Sequence, residues 1–204
     1  MKMKADVKAE IWLWASAFCY NMEKMVDIML ERGRKKMKIR QAGMEQLDEI
    51  MGIYGIAQKF MAENGNPGQW GTNYPSRERI QTDIEKGQCY VAEDEDGIQG
   101  VFVFFIGTEP NYEIIEQGDW IRKDRPYGVL HRIASAGRKK GVASFCIQWC
   151  LEKSPNMRGD THEKNHVMQH VLEKNGLIRC GIIHVEDGTA RIAYQTEKGE
   201  KEEQ

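Results

Sequence analysis

The chain has 204 residues, 41% hydrophobic and 29% charged, an ordinary globular composition that suits one domain, or one domain with an appendage, and excludes a disordered chain. Lys and Arg number 29 against 31 Asp and Glu, a balance that leaves no overall positive field and argues against dedicated nucleic-acid binding. The longest apolar run, Ile11 to Tyr20, falls far short of the roughly 20 residues that cross a bilayer, so no membrane span is expected.

Five scattered cysteines, Cys19, Cys89, Cys146, Cys150 and Cys180, form no C-x-x-C pair. They read as reduced, mostly buried thiols of a cytoplasmic protein. Near the N-terminus, Asp6 and Glu10 spoil the basic leader that a secretory signal needs. Val7, Ile11, Trp14, Phe18, Met22, Met25 and Met29 recur at three- and four-residue spacings, the stripe of an amphipathic helix. Residues 1–36 therefore read as a helical extension that docks on the domain or on a second copy of the chain, a homodimer. Translation from Met37, with those residues an accidental addition, is the alternative.

From Met37 the pattern predicts a short strand at Lys38 to Gln41, then a helix from Met44 to Ala62 carrying Leu47, Ile50, Met51, Tyr54 and Ala57 at helical spacing. Asn64-Gly65-Asn66-Pro67-Gly68 breaks the chain, and Ser76 caps a second helix that runs to Lys86. Gln88 to Ala92 and Gln99 to Ile106 read as a hairpin turning through Glu93 to Gly97. Gly107 to Pro126 is a long loop containing Tyr112 and Trp120, and loops of that length are often functional. A strand from Tyr127 to Ser135, a helix from Gly141 to Lys153, a strand around Met157 to Thr161 and a helix from about Asn165 to Asn175-Gly176 follow. Two last strands turn at Glu186-Asp187-Gly188, and residues 196–204 read as a charged disordered tail. This order implies a mixed α/β sheet with helices on its faces.

Ile133-Ala-Ser-Ala-Gly-Arg-Lys-Lys-Gly-Val-Ala143 joins a strand end, a basic loop and a helix start. The unpaired N–H groups and partial positive charge of a helix start favour a pyrophosphate, and Arg138, Lys139 and Lys140 would add full charges. Gly141 would let phosphate oxygens approach the backbone, and the small Ala143 keeps the way clear. A solvated basic surface is the other reading of these residues. Gly141 is followed by Val142 rather than Lys-Ser/Thr, and no G-x-G-x-x-G is present, so Walker-type hydrolysis and dinucleotide redox chemistry lose support.

With Arg138, Gly141 and Ala143 in the pattern Arg/Gln, two residues, Gly, one residue, Gly/Ala, and with this order of elements, the chain resembles the GNAT superfamily of acetyl-CoA-dependent N-acetyltransferases from Met37 to about Gln195. The resemblance implies a mostly antiparallel mixed sheet and acetyl-CoA, as cosubstrate, lying between the strand ending at Ser135 and the strand near Asp160. Its pantetheine would pair with backbone at Ile133, Ala134 and Ser135, and its pyrophosphate would sit on the loop from Arg138 to Ser144, including Val142. Many relatives open the later helix with an Asn that contacts the cofactor, a role Asn165 fits. Seven residues on they carry a Tyr that protonates the leaving thiolate, and here that position is Leu172. Another group or water would serve, or the thiolate leaves unprotonated.

Acetyl transfer from a thioester needs a neutral amine, whereas a free lysine-type amine has a pKa of about 10.4, so a base is required. His131 is the candidate, because a histidine titrates near ~6.5 and this one lies two residues before Ile133. Strict alternation would put it on one sheet face with Tyr127, Val129 and Ile133. A hydrogen-bonded core histidine is the competing reading, and Glu93 or a water chain could also take the proton. The oxyanion would be held by backbone N–H groups near Ile133 or Ala134. Trp70 and Tyr74, with Tyr127, are the candidate walls of a pocket for the primary amine of a small molecule or peptide. No metal is expected. His162-Glu163-Lys164-Asn165-His166 does match H-E-x-x-H, with Glu186 twenty residues on, but it straddles a strand-to-helix boundary, whereas a zinc peptidase needs both histidines in one helix. A module that holds CoA without catalysis is the third class, motivated by Leu172. The acyl group could also be longer than acetyl.

Overall fold

The computed structural model describes residues 37–196; the expected N-terminal helix and residues 197–204 of the expected tail lie outside them. The first strand, β1 (Lys38–Gln41), leads through a single 3-10 turn (Met44–Gln46) into helix α1 (Leu47–Glu63), which buries Leu47, Ile50, Ile53, Tyr54 and Met61. Helix α2 (Arg77–Glu85) starts where the Ser76 hydroxyl accepts the Arg79 N–H at 3.2 Å, satisfying one of the donors that a helix start leaves open. Strands β2 (Cys89–Asp94) and β3 (Gly97–Ile106) make a tighter hairpin than the sequence suggests. The Asp94 carboxylate folds over to accept the Asp96 N–H at 2.9 Å, and Gly97 takes φ 98°, so the strands pair to within two residues of each other.

Then come β4 (Gly128–Ser135), α3 (Val142–Lys153), β5 (Met157–Thr161), α4 (His166–Lys174), β6 (Leu177–His184) and β7 (Ala190–Thr196). Thr196, expected to open the tail, instead completes β7 and is buried. All seven strands form one sheet in the order β1-β2-β3-β4-β5-β7-β6, antiparallel except for the β4–β5 pair. On one face, α1 and α2 cover a core containing Ile50, Tyr54, Ile80, Val91 and Val101. On the other, α3 and α4 cover Phe102, Phe104, Leu130, Cys146, Ile147 and Leu172. Among the described residues no helix is long and apolar enough to cross a membrane.

One irregularity organises the centre of the sheet. Between Val103↔His131 and Val101↔Ala134, β4 has an extra residue relative to β3, and Arg132 there takes φ 49°. Such a bulge bends and twists its strand. A left-handed non-glycine residue costs of order 1–3 kcal/mol, and three partners hold it: Tyr54 Oη donates to the Arg132 carbonyl at 2.9 Å, Asp83 pairs with its guanidinium at 3.0 Å, and Arg132 Nη1 donates to Tyr74 Oη at 3.0 Å. The bulge also breaks the expected alternation. His131 stays on the face of Val129 and Tyr127, while Ile133 turns to the α3 side.

The long loop after β3 is docked rather than loose. Its Glu116 bridges to Ile182, Asp119 N–H donates to the Cys180 carbonyl at 3.0 Å, and Arg158 lies over the rings of Trp120 (4.1 Å) and Tyr127 (3.9 Å). The loop runs so close to β6 that a Cβ on Gly181 would stand 2.6 Å from the Glu116 carbonyl oxygen. Gly181→Ala is therefore expected to lower stability by about 1–3 kcal/mol through overpacking. Gly55→Ala, at an exposed position of α1 with open space around it, is expected to raise it by about 0.5–1 kcal/mol. Urea midpoints at constant m-value measure both.

Candidate active site

Parallel pairing of β4 with β5 runs only from Gly128↔Met157 to Leu130↔Gly159. Beyond that point the strands part, and the gap opens into a cleft of about 1330 Å³ lined from both sheet faces. From His131 onward β4 is bonded to β3 on one side and turns its other backbone edge, past Ile133, Ala134 and Ser135, to the cleft. A bare strand edge is a ready partner for an extended, amide-bearing chain.

At one end of the cleft stands the start of α3. Gly141 is its N-cap, with φ 81° and no side-chain cap, and the first helical bond runs from Phe145 N–H to the Gly141 carbonyl at 3.0 Å. The amides of Val142, Ala143 and Ser144 precede that bond, and nothing lies within 4 Å of where a Gly141 Cβ would be. This is an anion cradle made of backbone. The neighbouring cations are placed differently from the expectation that all three face it. Arg138 donates to the Ile98 carbonyl and is absent from the cleft wall. Lys139 reaches the wall, but its ammonium is paired with Asp94 and Asp96 of the hairpin turn. The hydrogen bond to Asp94 raises the Lys139 pKa, and the same bond lowers that of Asp94. Lys140 is exposed on the rim. The Val142 side chain is buried in the core, and the Ser144 hydroxyl accepts from Asn175 Nδ2 at 3.0 Å, tying α3 to the end of α4.

Midway along the cleft, on the α1–α2 face, His131 sits between two carboxylates. Its Nε2 is 2.9 Å from Glu109 Oε2, and its Nδ1 is 3.7 Å from Asp160 Oδ1. All three line the cleft with side chains only 12–16% exposed. Tyr112 Oη donates to Asp160 Oδ1 at 2.8 Å, and Asn111 donates to Glu109 through its backbone (3.2 Å) and its side-chain amide (2.8 Å). Burial pushes the Glu109 carboxyl up, but the hydrogen bond to His131, the charge of that ring and the Asn111 bonds outweigh it and leave the group below its usual range. Burial pushes the Tyr112 phenol well up, with Asp160 adding to the effect, so it stays a donor. The carboxylate on Nε2 leaves Nδ1 as the nitrogen that can accept a proton. Sequence reasoning missed Glu109, Asp160 and the role of Tyr112 in this group. The only signal was that Tyr112 and Glu109 flank the start of the long loop.

The aromatic residues divide. Trp70 and Tyr74 line the cleft, with Trp70 edge-on to Tyr54 at 5.7 Å and 6.3 Å from Tyr74. Tyr127 does not reach the wall; its hydroxyl accepts the Glu109 N–H at 3.1 Å and its ring lies under Arg158, so it supports the loop that carries Glu109.

No family model matches the sequence, and neither does any curated protein. Among solved structures, a GNAT-family acetyltransferase from Streptococcus agalactiae is 34% identical, with 80% of this chain and 96% of that one covered and a TM-score of 0.73. This chain belongs to the GNAT family of acetyltransferases. A GNAT-family acetyltransferase from Bacillus cereus (23% identity, 81% and 99% covered, TM-score 0.53) shares the fold. So does yncA from Salmonella typhimurium (16%, 81% and 96%, TM-score 0.54), which was solved with its cofactor acetyl-CoA.

Against the GNAT pattern, the second half of the cleft has its own features. Asn165 caps α4, accepting the Met168 N–H at 3.1 Å, and donates to Gln69 at 2.9 Å while lining the cleft. Leu172 is buried against the core at the cleft wall and has no proton to give. Thr161 on β5 also borders the cavity, but its hydroxyl is fully buried and has no hydrogen-bond partner. The H-E-x-x-H segment is split as its flanking residues imply. Only His166 is helical, His162 Nδ1 accepts the Lys164 N–H at 3.1 Å, and Glu186 pairs with Arg79 at 3.2 Å. Among the described residues no cluster of His, Cys, Asp and Glu is arranged to hold a metal ion.

A carboxylate whose folded pKa is depressed stabilises the fold above its unfolded value, and that contribution disappears as pH falls through the folded value. Glu109→Gln should therefore cost stability at pH 7, with the gap to the parent closing as pH drops below about 4, the ordinary Glu range. Denaturant midpoints measured between pH 7 and pH 3 would show it; a gap that is constant or widens in acid would be the contrary result.

Proposed function

We propose that this GNAT protein transfers an acetyl group from acetyl-CoA to a primary amine by direct attack of the amine on the thioester. The observation that carries the reading is His131, held by Glu109 with Nδ1 left to accept a proton, in the same cleft as the uncapped helix start at Gly141. Acetyl-CoA would supply the activated acyl carbon. The residues fit it: an uncapped helix start with room for phosphate at Gly141, a bare β4 edge for the pantetheine amides, and one cleft of about 1330 Å³ lined by both.

An arriving ammonium group meets Asp160 and His131 together, so charge attraction places it where Nδ1 can take its proton. Glu109 supports the imidazolium that results, and Tyr112 keeps Asp160 oriented. Trp70 and Tyr74 wall the approach. For the departing sulfur, a thiol of pKa about 8.5 is a fair leaving group even as thiolate. Backbone amides at α3, rather than Arg138 or Lys139, carry most of the phosphate contact, with Lys140 adding charge from the rim.

The test is thiol release from acetyl-CoA in the presence of amine panels, paired with calorimetry. His131→Ala should reduce kcat about 10²–10³-fold, the range of a positioned base, and flatten the pH profile of kcat/KM. An unchanged profile would remove His131 from the chemistry. Gly141→Val, which forces a branched side chain into a left-handed position facing the cradle, should weaken acetyl-CoA binding at least tenfold. Binding that persists while every amine fails would favour the CoA-holding module instead.

A further inference from the structure

Four cations line the acceptor side of the cleft: Arg79, Lys86, Arg132 and Arg191. Arg79 pairs with Glu186 at 3.2 Å and Arg132 with Asp83 at 3.0 Å, while Lys86 is exposed to water. Arg191 is different. It is 7% exposed, yet its guanidinium bonds only to neutral oxygens: Thr189 Oγ1 at 2.8 Å, the Ala190 carbonyl at 3.1 Å and the Gln69 carbonyl at 3.4 Å. Asp187, in the same turn, spends its carboxylate on the Thr189 N–H and hydroxyl; Arg191 helps hold that carboxyl low, but among the described residues the two make no contact ion pair. Neutral oxygens satisfy the hydrogen bonds but do not cancel the charge, which Asp187 offsets only from a distance, and a buried cation with no carboxylate in contact is unfavourable.

The topology relates this cation to the base. Asp160 pairs with Ala193, and Arg191 is two residues along β7 from Ala193, opposite Ile183. Residues opposite one another share a sheet face, so Arg191 is the diagonal neighbour of Asp160 on the His131 face, with backbones about 7–8 Å apart. Negative charge at Asp160 and Glu109 and positive charge at Arg191 thus face one cavity a short distance apart.

Resting on the acetyl-transfer reading, we infer that the acceptor is a compact zwitterion, an amine that also carries a carboxylate, as a free amino acid does, with its ammonium at Asp160 and His131 and its carboxylate on Arg191. Bidentate guanidinium–carboxylate bonding would supply a counter-ion in direct contact, and the oxygens that now hold Arg191 would keep its fork in place.

The experiment compares kcat/KM in the thiol-release assay for three matched sets: free L-amino acids, their primary amides, and the amines that lack the carboxyl group, with polyamines alongside. The acids should exceed their amides and decarboxylated counterparts by at least tenfold. Arg191→Gln should collapse that ratio through KM, and Arg191→Lys should restore part of it. A purely structural guanidinium would instead lower all three sets in parallel. Equal use of acids and amides by the parent protein, a preference for polyamines, or a ratio that survives Arg191→Gln would each overturn the inference while leaving acetyl transfer standing. Should Arg191→Gln fail to fold, the parent protein's ratio decides alone. If no amine of any set releases thiol, although acetyl-CoA raises the melting temperature, the acetyl-transfer reading falls and takes this inference with it.

Discussion

The cleft exists because β4 cannot follow β5. An added residue at Arg132 re-aims the strand, and a parallel ladder that would otherwise close the sheet opens after Leu130↔Gly159. Every part of the candidate site lies along that parting: a bare backbone edge on one side, a helix start at one end, and an imidazole on the last residue before the bulge. The strained backbone is held by Tyr54, Asp83 and Tyr74, drawn from α1, α2 and the loop between them, so the elements that would shape the acceptor pocket also keep the sheet open. Burial pushes the Asp83 carboxyl up, and Arg132 offsets this only in part. This polar pair spends some stability to fix a shape, as buried ion pairs can.

In the proposed reading, charge is used sparingly at the end of the cleft that would take the phosphates. Arg138 and Lys139 are committed to the β2–β3 hairpin, through the Ile98 carbonyl and the Asp94 and Asp96 carboxylates. They brace the loop that presents Gly141, and the loop in turn offers backbone amides. An anion site of this kind depends on conformation more than on side-chain charge, which is why the left-handed Gly141 weighs more than the three basic residues before it.

Much of the architecture was legible in the residues. Helical spacing located α1 and α3, Ser76 marked the start of α2, Asn175-Gly176 the end of α4, and Gly188 the last turn, because each reports a local backbone requirement. The strand-to-helix junction at Gly141 was legible for the same reason. What escaped notice was non-local. Nothing around Arg132 announces a bulge, so alternation wrongly kept Ile133 beside His131. Glu109, Asp160 and Arg191 lie far apart in the chain and line one cleft only because the loop after β3 folds back on β4 and β5 pairs with both β4 and β7. Arg138 and Lys139 looked free because their partners are some forty residues away.

Glu109 reaches His131 from a loop riveted to β6 at Gly181 and clamped where Arg158 slides between Trp120 and Tyr127. A segment tied down at both places is not expected to melt on its own. Warming should leave the pairing of Glu109 with His131 intact until the whole sheet gives way, so that the local contact and global order vanish together rather than in succession.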